Sequence, residues 1–132
     1  MRKRIGTAAA LSAAALIAGI TVMAAPAQAT ATFLGCPAGA VCIYNGATPD
    51  TGIEPGGYYY SYGAHNLHNQ EGVHAVINNQ TDGAWVTFCG GSNGGGPWLG
   101  SEAPNTAYPP YGQDLGPVYS IVLTPGYHAS CP

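Results

Sequence analysis

Beyond Arg4 the 132-residue sequence contains neither lysine nor arginine. Its only basic residues, Arg2, Lys3 and Arg4, precede a mostly apolar run from Ala8 to Met23 and the small-x-small pattern of Ala27 and Ala29. A basic head, an apolar stretch and a small-residue site make up an export signal over residues 1–29, so cleavage is expected after Ala29, leaving one secreted domain from Thr30 to Pro132. Ser12 and Thr21 interrupt the apolar run and Pro26 follows it, which argues against a retained membrane anchor. Removing the leader takes the formal charge from −3 to −6, carried by Asp50, Glu54, Glu71, Asp82, Glu102 and Asp114. Nothing then remains to neutralise phosphates and release their counterions, which excludes nucleic acid, and an anionic membrane surface repels such a domain. The expected product is an acidic, extracellular monomer with no membrane association once the signal is gone.

A helical pattern is missing as well, because no window of a dozen residues keeps apolar side chains at i, i+3, i+4 and i+7. Catalytic constellations are equally absent. Ser61, Ser92, Ser101 and Ser120 lie in no nucleophile elbow, and the carboxylates are scattered singly, so no enzyme is expected. The cysteines form no C-x2-C pair, which disfavours zinc. His65, His68 and His74 have an H-x2-H-x5-H spacing open to a transition metal, but no fourth ligand has a clear place. The favoured reading of "GAHNLHN" is a polar connection whose side chains satisfy turn backbone.

What the chain does contain is four cysteines, Cys36, Cys42, Cys89 and Cys131, all in the exported part. An even count in a small secreted domain reads as two disulfides, with three connectivities allowed. Cys36 with Cys42 and Cys89 with Cys131 is favoured, closing the short "CPAGAVC" loop and tying down the C-terminal tail. Short β-branched and aromatic runs recur at 40–44, 57–62, 73–78, 84–88, 97–100 and 117–123. Turn signals separate them at Asn45-Gly46, Pro55-Gly56, Asp82-Gly83 and Asn93-Gly94. The domain is therefore expected to be all-β, a sandwich or barrel of about eight strands. It also repeats. Gly72–Ile77 echoes Pro117–Val122 at an offset of 45, and "VCIYNGA" at 41–47 echoes "VTFCGGS" at 86–92, set with Tyr44 over Phe88 at an offset of 44. Two units, about 40–80 and 84–124, follow one another, and His74 falls over Tyr119 as a semi-exposed strand position rather than a catalytic base.

At this point the chain resembles the βγ-crystallin-like small secreted proteins of bacteria, which include a metalloproteinase-inhibitor type. The resemblance spans nearly the whole exported part and rests on Cys36-Pro37, on Cys42-Ile43-Tyr44, and on the Asn66-Leu67 step. It implies two tandem Greek keys packed as a sandwich, with hairpin glycines at Gly56 and Gly57 in the first unit and Gly94 to Gly96 in the second. Calcium-binding relatives carry a hard oxygen cluster where this chain has residues 70–75 and 115–120, and neither stretch supplies it, so calcium is not expected and no cofactor is assigned. The implied function is inhibition of a secreted protease, and the expected contact is the disulfide-braced loop Ala38, Gly39, Ala40 and Val41, whose ordering is already met on folding. The alternative is a carbohydrate- or cell-surface-binding, killer-toxin-like module that uses Tyr58, Tyr59, Tyr60, Tyr62 and Trp98, with Tyr108 and Tyr111, as stacking groups.

Overall fold

Ten antiparallel strands, most of them on the apolar runs, form the fold in a computed structural model that describes residues 31–107 and 112–132. The expected export signal lies outside those residues, as do Tyr108 and Tyr111. In chain order the strands are β1 Ala40–Tyr44, β2 Ile53–Tyr59, β3 Gly63–Asn66, β4 Val73–His74, β5 Val76–Asn79, β6 Trp85–Cys89, β7 Trp98–Glu102, β8 Thr106–Ala107, β9 Gln113–Asp114 and β10 Ser120–Thr124. Helical structure among the described residues is confined to two single 3-10 turns, Pro49–Thr51 and Ser92–Gly94. The protein is all-β, and no helix there is long and apolar enough to cross a membrane.

Two four-stranded sheets have the orders β2-β1-β5-β8 and β3-β10-β6-β7, and β4 pairs with β9 in a small ribbon. The two orders are equivalent. In each, the first strand of a unit lies between that unit's second and last strands, and the fourth place is taken by the third strand of the other unit. β3 thus crosses to the second unit's sheet and β8 to the first's, so neither half closes without its partner. The registers of the first and last strands of the two units give one offset. Val41 faces Asn78 as Val86 faces Leu123, and Ile43 faces Val76 as Phe88 faces Ile121. The offset is 45 on both strands, which places Ile43 over Phe88 and corrects the alignment of Tyr44 with Phe88.

Strand alternation explains the core. Val41, Ile43 and Val76 from one sheet meet Val86, Phe88, Ile121 and Leu123 from the other, and Leu67, Leu115 and Val118 close the ends. The reverse face of the first sheet is covered too. Cys36, Ala40, Cys42, Tyr44, Ala75 and Ile77 form a second cluster beneath the N-terminal segment, so β1 is buried on both faces and reads as an unbroken apolar run. The cysteines pair as Cys36–Cys42 and Cys89–Cys131, with none free, which is compatible with an oxidising, extracellular compartment.

Between Cys42↔Tyr58 and Tyr44↔Ile53, the four residues Glu54–Gly57 bulge out against Ile43 alone. At its foot Gly57 is buried, and a Cβ there would sit 2.6 Å from Glu54 Cγ and 2.7 Å from the Ile43 carbonyl oxygen. Gly57→Ala is expected to cost about 1–3 kcal/mol by overpacking, read as a lower urea midpoint. A variant as stable as the wild type would show that the bulge yields freely. In the second unit the matching bulge is smaller. Phe88 faces Gly100 and Cys89 faces Trp98, leaving Leu99 as the extra residue. Gly94 to Gly96 lie in the connection of the β6–β7 hairpin, and Gly100 stands opposite Phe88 beside the bulge.

Candidate functional site

Ala40 and Val41 are the first residues of β1 and have no exposed surface. Val41 packs in the sandwich core and Ala40 in the cluster under the N-terminal segment, so neither can enter a protease cleft without dismantling the first sheet. The expected contact loop is corrected accordingly. Only Ala38 and Gly39 of that set keep partial exposure.

The same disulfide braces a different feature, immediately before Cys36. Phe33 and Cys36 exchange two backbone hydrogen bonds, Phe33 N–H to Cys36 O at 3.0 Å and Cys36 N–H to Phe33 O at 2.9 Å. They close a two-residue turn in which Leu34 and Gly35 both have positive φ, 50° and 89°, the sign pattern of a type I′ hairpin turn. Glycine takes that conformation freely, but leucine pays about 1–2 kcal/mol for it. The strain is held in place from several sides. The Tyr44 hydroxyl donates to the Leu34 carbonyl at 2.7 Å. Buried Asn79 donates from Nδ2 to both arms, to Cys36 O at 2.9 Å and Ala31 O at 3.2 Å. The Cys36–Cys42 bond fastens the inner arm to β1. Despite these anchors Leu34 stands 51% exposed and Phe33 37%, giving an apolar tip on a rigid base.

Burial pushes the Tyr44 phenol above its ordinary pKa, and Tyr58 adds to the shift. The hydroxyl therefore stays a donor at neutral pH, and its contribution is lost only as pH rises through the raised value, above about 10. Tyr44→Phe is expected to cost about 1 kcal/mol and to loosen the turn, seen as faster amide exchange at Cys36. Unchanged exchange there would mean that Asn79 and the disulfide suffice.

The tyrosines separate into two groups. Tyr58, Tyr60 and Tyr62 are exposed at alternate positions along and beyond β2, an edge strand. Tyr59 turns inward against the core and against His65, with ring centroids 5.3 Å apart. Trp98 is exposed on β7, at the edge of the other sheet, with its indole N–H on Ser101 Oγ at 3.0 Å. It does not share a strand or sheet with the tyrosines.

The three histidines also take different surroundings. His65 bonds through Nε2 to the Ser61 carbonyl at 2.7 Å, and His68 is exposed. His74 is only 9% exposed, with Nδ1 2.6 Å from Tyr44 O and Nε2 3.2 Å from Glu71 O, whereas its counterpart Tyr119 is 58% exposed. The expected semi-exposed position is corrected. His74 belongs to the β4–β9 ribbon, opposite Gln113, and folds back over β1, whereas Tyr119 precedes its strand. Among the described residues no three His, Cys, Asp or Glu side chains converge as a metal site.

Sequence reasoning missed Leu34 and Asn79. "LG" is not a recognised hairpin dipeptide, and Asn79 gave no sign that its amide would reach back to Ala31 and Cys36. Comparison with models of known families, with characterised proteins and with solved structures finds no match to this chain.

Proposed function

We propose that the protein is a secreted, monomeric peptidase inhibitor that presents the Leu34 turn to the cleft of an extracellular metallopeptidase. The observation that carries this reading is a strained, exposed leucine on a turn fixed by a disulfide, a tyrosine hydroxyl and a buried asparagine. Strain of this kind persists where the surroundings over-determine it and is concentrated at ligand-contacting segments. A tip already ordered loses little further entropy on docking, so its apolar area is available for affinity. An unadorned leucine suits a subsite that takes apolar side chains, and a domain without lysine or arginine offers trypsin-like enzymes no cleavage site of its own. The exchanged third strands and the 45-residue offset of the first and last strands support reading the scaffold as two Greek keys in a βγ-crystallin-like sandwich.

The test is titration of secreted metallo- and serine peptidases with the domain from Thr30 to Pro132. Saturable inhibition of at least one metallopeptidase, with the inhibitor recovered uncleaved, is expected. Failure against the whole panel would reject the reading.

A further inference from the structure

The bulge at Glu54–Gly57 builds one wall of an open groove of about 480 Å³, and the end of β3 with the residues that follow it, 66–70, builds the other. This groove is lined by amides, one carboxylate, an imidazole and a phenol, from Asn45, Glu54, Tyr59, His68, Asn69 and Gln70. Its chemistry is that of a polar but uncharged ligand. Beyond Arg4 the chain has no lysine or arginine, so an anionic ligand would find no permanent counter-charge. A metal ion would find one carboxylate, already engaged, where several hard oxygens are needed.

Gln70 orients the carboxylate of this groove. Its Nε2 donates to Glu54 Oε1 at 2.8 Å and, less closely, to the His68 carbonyl at 3.4 Å. Its Oε1 is shielded from solvent and accepts no hydrogen bond from the protein. The acceptor that the groove offers a ligand is therefore the Glu54 carboxylate, held by Gln70. Beside it are groups able to receive or donate in turn: the exposed His68 and Asn69 side chains and the Tyr59 phenol, kept neutral by burial and by nearby Glu54. Adjacent acceptors and donors at one aromatic-lined surface match a hydroxyl-rich ring, whose neighbouring hydroxyls each donate and accept.

We infer that the groove between the Glu54–Gly57 bulge and the 66–70 segment binds an uncharged oligosaccharide, with Glu54, oriented by Gln70, accepting from its hydroxyls. The site is independent of the Leu34 turn and would retain the secreted protein on a polysaccharide surface.

The experiment is isothermal titration of the Thr30–Pro132 protein with chitotetraose and with cellotetraose, using tetragalacturonate as the charged control. Saturable binding of at least one neutral tetrasaccharide is expected at millimolar concentration, with none of the acidic one. Gln70→Leu, Glu54→Gln and His68→Ala should each weaken it by about tenfold or more, whereas Tyr60→Ala and Tyr62→Ala should leave it unchanged. His68 is exposed, so its variant keeps the test open if Gln70→Leu fails to fold. Peptidase inhibition by the His68 and Glu54 variants should stay at the wild-type level, which separates this site from the inhibitory one. Absence of neutral-sugar binding, its survival in all three groove variants, or its loss in the tyrosine variants would overturn the assignment.

Discussion

Leu34→Gly is expected to make the protein more stable and a poorer inhibitor. Leu34 holds a φ of +50° that glycine adopts without a Cβ clash. Relief of about 1–2 kcal/mol in the folded state is partly offset by the greater freedom of glycine in the unfolded chain, leaving a net gain of about 0.5–1 kcal/mol. The same change removes the apolar tip. A leucine side chain fully buried in a partner contributes about 1.5–3 kcal/mol, so the inhibition constant should rise about ten- to hundredfold. Urea denaturation and a peptidase titration on one preparation measure both. A residue kept for packing would show the opposite pairing, lower stability with unchanged inhibition.

The second large effect separates the two disulfides. Cys36 and Cys42 are 6 residues apart and Cys89 and Cys131 are 42 apart. If loop closure in the unfolded chain dominates, losing the short bridge costs about 2 kcal/mol and losing the long one about 4 kcal/mol. Against a typical total of about 5–15 kcal/mol, the second loss is severe. Function should rank them the other way. The paired Cys36→Ala and Cys42→Ala variant frees the inner arm of the Leu34 turn and should raise the inhibition constant about tenfold or more. Cys89→Ala with Cys131→Ala should leave it unchanged at temperatures where the protein remains folded. Equal stability losses, or unaltered inhibition without the short bridge, would contradict this assignment of roles.

Much of the scaffold was legible because it depends on local pattern. "AVCIY" became β1 over its full expected span, and both Asp82-Gly83 and Asn93-Gly94 take positive φ as turn dipeptides do. The end of the echo, Val76-Ile77 with Ile121-Val122, appears in the registers as equivalent pairings. What escaped depends on contacts distant in sequence. β3 is a polar stretch, Gly63–Asn66, with no strand signature, and it becomes a strand because β10 offers it an edge. Val41 looked available because its loop is short and disulfide-closed, yet alternation along β1 sends its side chain inward. The amide run Asn78, Asn79 and Gln80 is polar yet buried. Asn78 bonds Ala84 and Glu102 carbonyls, and Gln80 bonds Gly39 and Tyr59 carbonyls. The candidate site inherits this long-range character, since the turn at Leu34 is held by Tyr44 and Asn79 from separate strands.

Leu34→Asp tests the central claim most directly. Aspartate tolerates the left-handed conformation better than leucine does, so the turn should keep its shape, and an unpaired carboxylate driven into an apolar subsite is heavily penalised. Inhibition constants of wild type and Leu34→Asp, measured side by side against one sensitive metallopeptidase, should differ by at least about a hundredfold, with matching urea midpoints. Equal constants for the two folded proteins would contradict the account and remove the Leu34 turn from the contact.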